Sequence, residues 1–272
     1  MPGDKIYYDS YKEDRDLILE YNQVKLDDAN VVNILGVGID NVTRTQAVVK
    51  VMDMITNGGI HHVMSFNPYK IQRVRGNLDL NVISGLADMR IATGSGIRWA
   101  SRVLKNPLKE TISLLSFMMD IVRIAEIKEF SIFLVGGKPE VVEQAFFNIR
   151  KSFPKIRIVG RHGGYFSPDR EKSVVEAMRK SEANIIFAGL GFPREDKWIH
   201  KIRGEFKNTV FISVGGCIDI ISGQVKKAPA FFMSRNLDWF YRIITKPWRL
   251  GRFLRVVFFF IRVVLKRIFS RS

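Results

Sequence analysis

NIIFAGLGFPREDKWIHKIRGEFKNTVFISVGG, residues 184–216, decides the fold. Two runs rich in Ile, Val and Phe, 184–191 and 209–216, each close on glycine. Such runs read as strands buried on both faces. Between them Pro193 suits a first helical turn, and Glu195 and Asp196 complement the positive end of a helix dipole. The spacing therefore predicts a strand, a helix near 195–204 and a second strand, which is a right-handed crossover in a parallel sheet.

Working outward, the same alternation recurs. SIFLVGG (131–137) and IRIVG (156–160) read as strands around a helix over about 139–152. HHVMSF (61–66) reads as another strand, and VVNILGVGI (31–39) as one continuous buried strand. Thr43 is placed to cap a helix running to about Thr56. The fold class is α/β: a Rossmann-like parallel sheet with helices on both faces, plus a C-terminal amphipathic helical appendage. The organisation follows as a polar extension (1–30), the α/β body (31–229) and a basic appendage (230–272).

Glycines gather where the strands end: Gly136, Gly191, Gly215 and Gly216. Ligands of open α/β sheets lie beyond these carboxyl ends, and glycine lets a phosphate approach backbone N–H groups. Gly94-Ser95 opens an apparent helix in the same manner, and Asp219 follows the last glycine pair.

The formal net charge is +16, which calls for an anionic partner. More than half of it lies beyond Phe231, where ten Lys or Arg face one acid, Asp238. There Arg252, Arg255, Arg262 and Lys266 fall on one helical stripe, with Phe, Val and Leu on the rest. That pattern suits an anionic membrane surface and disfavours nucleic acid, which asks for a basic face with exposed aromatics. A second copy of the chain is the other candidate to cover the apolar surface. The longest apolar run of the tail, Val256–Ile261, is far short of a membrane span, and the polar N-terminus shows no signal peptide. One cysteine, Cys217, excludes an intrachain disulfide and reads as a small core residue. Asp14-Arg15-Asp16 spells a metal–nucleotide pattern but lies in the polar extension and reads as surface charge.

Eight segments, in order, resemble the WecG/TagA/CpsF family (glycosyltransferase family 26): ILGVGIDNVTRTQAV (34–48), SFNPYK (65–70), ATGSGIRWASRVL (92–104), FLVGGKPEVVEQA (133–145), IVGRHGGYF (158–166), GLGFPREDKWI (189–199), VGGCIDIISGQVKKAP (214–229) and LDWFYRIITKPWRLGR (237–252). The resemblance implies an inverting, metal-independent transferase with no cofactor. It would move a hexose, N-acetylmannosamine in many members, from a UDP-sugar donor to an undecaprenyl-diphosphate-linked acceptor. The protein would sit peripherally at the cytoplasmic face of the membrane, in cell-surface polysaccharide or teichoic acid synthesis.

The family's appendage arginines fall on Arg242, Arg249 and Arg252, whose guanidinium forks would stabilise a diphosphate. Its TPN motif falls on Ser65 and Asn67. Its aspartate in PDG is Thr93 here, and a threonine hydroxyl is no general base near neutral pH. Its glutamine in PxQE is Glu195. Glu195 is therefore expected to take over the base role or to replace the lost negative charge in the pocket, and an altered donor specificity with another base, Asp88, is the second explanation. A catalytically silent scaffold is the alternative these departures raise.

Overall fold

The computed structural model describes residues 30–224 and 250–269, together with Tyr21, Gln23 and Val24. The body begins with β1 (Val31–Ile34) and β2 (Val37–Asp40), which pair antiparallel in a two-stranded sheet of their own. One strand over 31–39 was expected. The chain instead folds back at Leu35 and Gly36, with φ of 55° and 92°. An apolar run does not announce such a turn, which needs positive φ at both central residues.

Next come α1 (Arg44–Asn57), β3 (Ile60–Phe66), α2 (Pro68–Arg75), α3 (Leu78–Gly85), β4 (Met89–Ala92) and α4 (Ser95–Val103). Thr43 does cap α1: its side chain accepts the Gln46 N–H while the Gln46 side chain accepts the Thr43 N–H. Such a reciprocal cap contributes roughly 1 kcal/mol. The chain continues through α5 (Leu114–Ile127), β5 (Ser131–Gly136), α6 (Pro139–Ser152), β6 (Arg157–His162), α7 (Pro168–Lys180), β7 (Ile185–Gly189), α8 (Arg194–Ile202), β8 (Thr209–Ser213), α9 (Cys217–Ile221) and α10 (Leu250–Phe269).

Six strands form one parallel sheet in the order β4-β3-β8-β7-β5-β6. Strand β4 has no counterpart in the sequence reading, because MRIA is short and carries Arg90. The arginine is tolerated there because the hairpin flanks β4. The Asp40 carboxylate accepts the Arg90 backbone N–H at 2.7 Å and lies 3.6 Å from its guanidinium.

Successive strand residues face opposite sides, and the helices cover both. On one side α1, α5, α6 and α9 bury Ile132, Leu134, Phe187 and Ile212. On the other, α7 and α8 bury Phe133, Val135, Ile186 and Phe211. Trp198 and Cys217 are buried, the latter as expected for a small core residue. A third cluster joins the hairpin, α2, α3, α4 and α10 over Met64 and Phe66. There Phe259 and Val263 of α10 are fully buried, worth about 2 kcal/mol each. The basic helix is therefore anchored on the body along one edge and exposed along the rest. Among the described residues, no helix is long and apolar enough to cross a membrane.

Neighbouring strands β5 and β7 lead into helices on opposite faces, α6 and α8. Their carboxyl ends therefore part around a crevice, the place where open α/β sheets bind ligands.

Candidate active site

The carboxyl edge of the sheet gathers most of the residues singled out from sequence. Ser65 and Asn67 close β3, and Thr93, Gly94 and Ser95 close β4. Gly136 ends β5, Gly191 follows β7, and Gly215 and Gly216 follow β8. Asp219 lies in the first turn of α9, half-buried, near Gly137 and Gly216. At the crevice Gly136 and Gly189 stand in register. A Cβ on Gly136 would come within 2.6 Å of the Gly189 carbonyl oxygen, so only glycine fits. Helix α4 starts at Gly94, with φ of 83° and no side-chain cap. Its first amides thus lack a side-chain oxygen from Gly94 and suit an anion. Asn67 caps α2, its Oδ1 accepting the Lys70 N–H at 2.9 Å.

Beneath this edge lies a buried polar network that sequence reasoning did not foresee. Glu195 and Asp196, in the first turn of α8, are both 0% exposed. One oxygen of Glu195 accepts the N–H of Gly215 at 3.0 Å and of Gly191 at 3.2 Å. The other receives the Lys70 ammonium at 3.4 Å. Lys70 also donates to the Ser65 hydroxyl at 3.3 Å and lies 4.0 Å from Asp196. The Ser213 hydroxyl donates to Asp196 at 2.6 Å, and His62 Nε2 is 3.0 Å from the same hydroxyl. Ser213 has one proton and gives it to Asp196, so His62 must donate through Nε2–H.

This geometry changes the expected roles. Glu195 does not face the crevice; it is an internal carboxyl that ties the turns after β7 and β8 together. The N–H groups of Gly191 and Gly215 serve that carboxylate rather than a ligand. Ser65 is buried and engaged by Lys70, not turned toward a sugar. Sequence did carry a hint of Lys70: it adjoins Ile71 and Val74 on the buried stripe of α2.

Burial pushes the Glu195 carboxyl up to about 7; the Lys70 ammonium pulls the other way and the Asp196 charge adds to the rise. Burial also works to raise Asp196, but Lys70, His62 and Ser213 outweigh it and hold that carboxyl below its ordinary value. A carboxyl whose pKa is higher folded than unfolded binds protons more readily when folded. Its stabilising contribution is complete below the unfolded value of 4.5 and is lost as pH rises through about 7. Glu195→Gln is therefore expected to flatten the fall in Tm between about pH 5 and pH 8. Calorimetry across that range checks it, and an unchanged slope would exclude Glu195 as its source.

The remaining candidates divide. Thr93 stands at the edge, but its hydroxyl donates to the Phe66 carbonyl at 2.9 Å. Asp88 precedes β4 and so lies at the opposite, amino edge of the sheet. There it accepts the His62 N–H at 2.8 Å and pairs with His61 and Arg203. It is a structural anion remote from the crevice. Sequence misplaced it because β4 was not recognised. The guanidinium of Arg252 lies 5.3 Å over the Tyr69 ring, on the first turn of α2. Arg242 and Arg249, and the Asp14-Arg15-Asp16 run, fall outside the described residues. Among the described residues no cluster of His, Cys, Asp or Glu has the arrangement of a metal site.

Residues 32–272 match the model of the Glycosyl transferase WecG/TagA/CpsF family. A relative from Staphylococcus aureus (strain NCTC 8325 / PS 47) is 29% identical over 85% of this chain and 91% of its own length. It is named N-acetylglucosaminyldiphosphoundecaprenol N-acetyl-beta-D-mannosaminyltransferase. Its counterpart in strain MRSA252 carries the same name and is 28% identical over the same shares. With a glycine-lined crevice at the switch point of a parallel sheet and a match over nearly all its length, the chain belongs to the WecG/TagA/CpsF family of glycosyltransferases.

Proposed function

We propose that the protein transfers a hexosyl unit from a UDP-sugar to a sugar on undecaprenyl diphosphate, without metal, at the cytoplasmic membrane surface. One observation carries the reading: the glycine crevice and a basic amphipathic helix share one edge. Helix α10 packs on α2 and α4, and both of those helices start at the carboxyl ends of strands. A donor diphosphate in the crevice would meet Gly136 and Gly216, and the arginines of the appendage would neutralise the departing UDP. Asp219 is a carboxylate that does stand at this edge. The named activity of the staphylococcal relatives supports a lipid diphosphate acceptor and N-acetylmannosamine as the first donor to try. Exposed Arg255, Arg262 and Lys266 would add roughly 1 kcal/mol each on an anionic leaflet.

The test is a donor panel with a short-chain undecaprenyl-diphosphate-N-acetylglucosamine analogue, with and without EDTA, read by mass spectrometry. A disaccharide product formed equally in EDTA is expected. The scaffold reading has one specific observation in its favour. Glu195, Thr93 and Asp88 are, respectively, buried, bonded to backbone and at the wrong edge. UDP binding without turnover across the whole panel would establish the scaffold and end the transferase reading.

A further inference from the structure

Between α4 and α10 runs an open groove of about 540 Å³ lined by Trp99, Phe260, Ile261, Val264 and Leu265. Its walls are almost wholly apolar, yet it opens to solvent: Trp99 is 38% exposed and Leu265 45%. Surface of this kind on a soluble face marks a binding site for something apolar.

Its inner end abuts the reaction edge. Gly96, in the first turn of α4, forms the junction: a Cβ there would stand 2.6 Å from Pro68 Cγ and 3.2 Å from Phe260 Cζ. Pro68 directly follows Asn67, and Gly96 directly follows Ser95. One turn further along α4 the Trp99 ring meets Phe260 edge-on at 5.0 Å. From there the lining continues outward along α10 to Leu265. A cation stands at the inner end on the same helix, Arg252 above Tyr69, while Arg262, bonded to Gln72 at 2.9 Å, lies farther out beside the lining. Charge near the edge and hydrocarbon leading away from it is the polarity of a prenyl diphosphate.

We infer that this groove seats the prenyl chain of the lipid-linked acceptor, holding its diphosphate toward the glycine edge. The inference rests on the proposed transferase reading for its ligand. The exposed Leu254 and Phe258 continue the helical stripe of Ile261 and Leu265 and give a bilayer its face; the inner wall of the groove, Trp99 with Phe260 and Val264, lies to one side of that stripe, between the two helices. A slot with an aromatic wall on one side and aliphatic side chains on the other suits a single chain.

The test uses the full-length protein and a diazirine-bearing farnesyl diphosphate, with labelled peptides mapped by mass spectrometry. Label is expected on Trp99 together with Phe260 or Val264, displaced by farnesyl diphosphate and not by inorganic pyrophosphate. Trp99→Glu and, separately, Val264→Glu should cut labelling about tenfold while leaving UDP affinity and Tm unchanged. In turnover the same variants should raise KM for a long-chain acceptor to that of a short-chain one, with kcat kept. Label confined to Leu254, Phe258 and Phe269 would overturn the inference in favour of a bilayer face. Label lost on dimerisation would overturn it in favour of a second copy. Groove labelling without any sugar transfer would sink the transferase reading alone; transfer without groove labelling would sink this inference alone.

Discussion

Lys70→Met is expected to melt about 10 °C below the parent protein at pH 8, with a smaller loss at pH 6. Lys70 is buried, and its ammonium is the shared counter-charge of Glu195 and Asp196. Removing one partner from a buried ion pair costs about 3–5 kcal/mol, because the other charge stays desolvated. In a domain of this size each kcal/mol moves Tm by about 2–4 °C. The pH dependence follows from Glu195. Lys70 works to lower its pKa, so the variant's carboxyl takes up a proton more readily still. At pH 6 that proton removes much of the unpaired charge. At pH 8 proton uptake is less favourable, and the two carboxylates meet without a cation between them. The double variant Lys70→Met/Glu195→Gln should recover part of the loss at pH 8. Equal melting of the single variant and the parent at both pH values would show that the network is not held by charge.

Gly136→Ala is expected to cost at least about 3 kcal/mol and to abolish detectable binding of uridine nucleotides. The residue has φ of +152°, where side chains are strained, and its Cβ would lie 2.6–2.7 Å from three backbone atoms of Gly189. Backbone in a central strand cannot step aside as a flexible side chain would, so β5 and β7 would be forced apart. The distortion falls at the crevice itself. Gly204→Ala is the matched control: nothing lies within 4 Å of its added Cβ. Differential scanning fluorimetry and isothermal titration with UDP would compare the two. A Gly136→Ala protein that melts and binds like Gly204→Ala would remove the close strand contact from the account of the site.

The parallel sheet was legible where strands are buried on both faces, because β5 and β7 carry apolar runs ending in glycine and the run of β8 is interrupted only by Ser213. It failed at its β4 margin. MRIA is four residues long and contains an arginine whose partner, Asp40, lies 50 positions earlier. The hairpin was read as one strand because apolar content is the same before and after the turn. The edge that gathers Asn67, Gly94, Gly136, Gly216 and Asp219 was legible from strand-end glycines and the family resemblance together. Which way each side chain points was not. Glu195 and Lys70 are 125 positions apart, and neither position by itself names the other as its partner. Burial of the pair is a tertiary fact, and it turned the expected base into a brace for two turns.

Under the proposed function, the margins of the sheet bear on crowding at a membrane surface. A free edge strand offers a ladder of amides and carbonyls to any neighbour, and proteins concentrated on a surface meet often. At β4 the Asp40 carboxylate already occupies the Arg90 amide. At β6 the exposed Arg157 and the Arg161–Glu143 ion pair line the other rim with hydrated charge that a docking strand would have to desolvate. Many copies could therefore share one patch of leaflet without zipping into fibrils through their sheets.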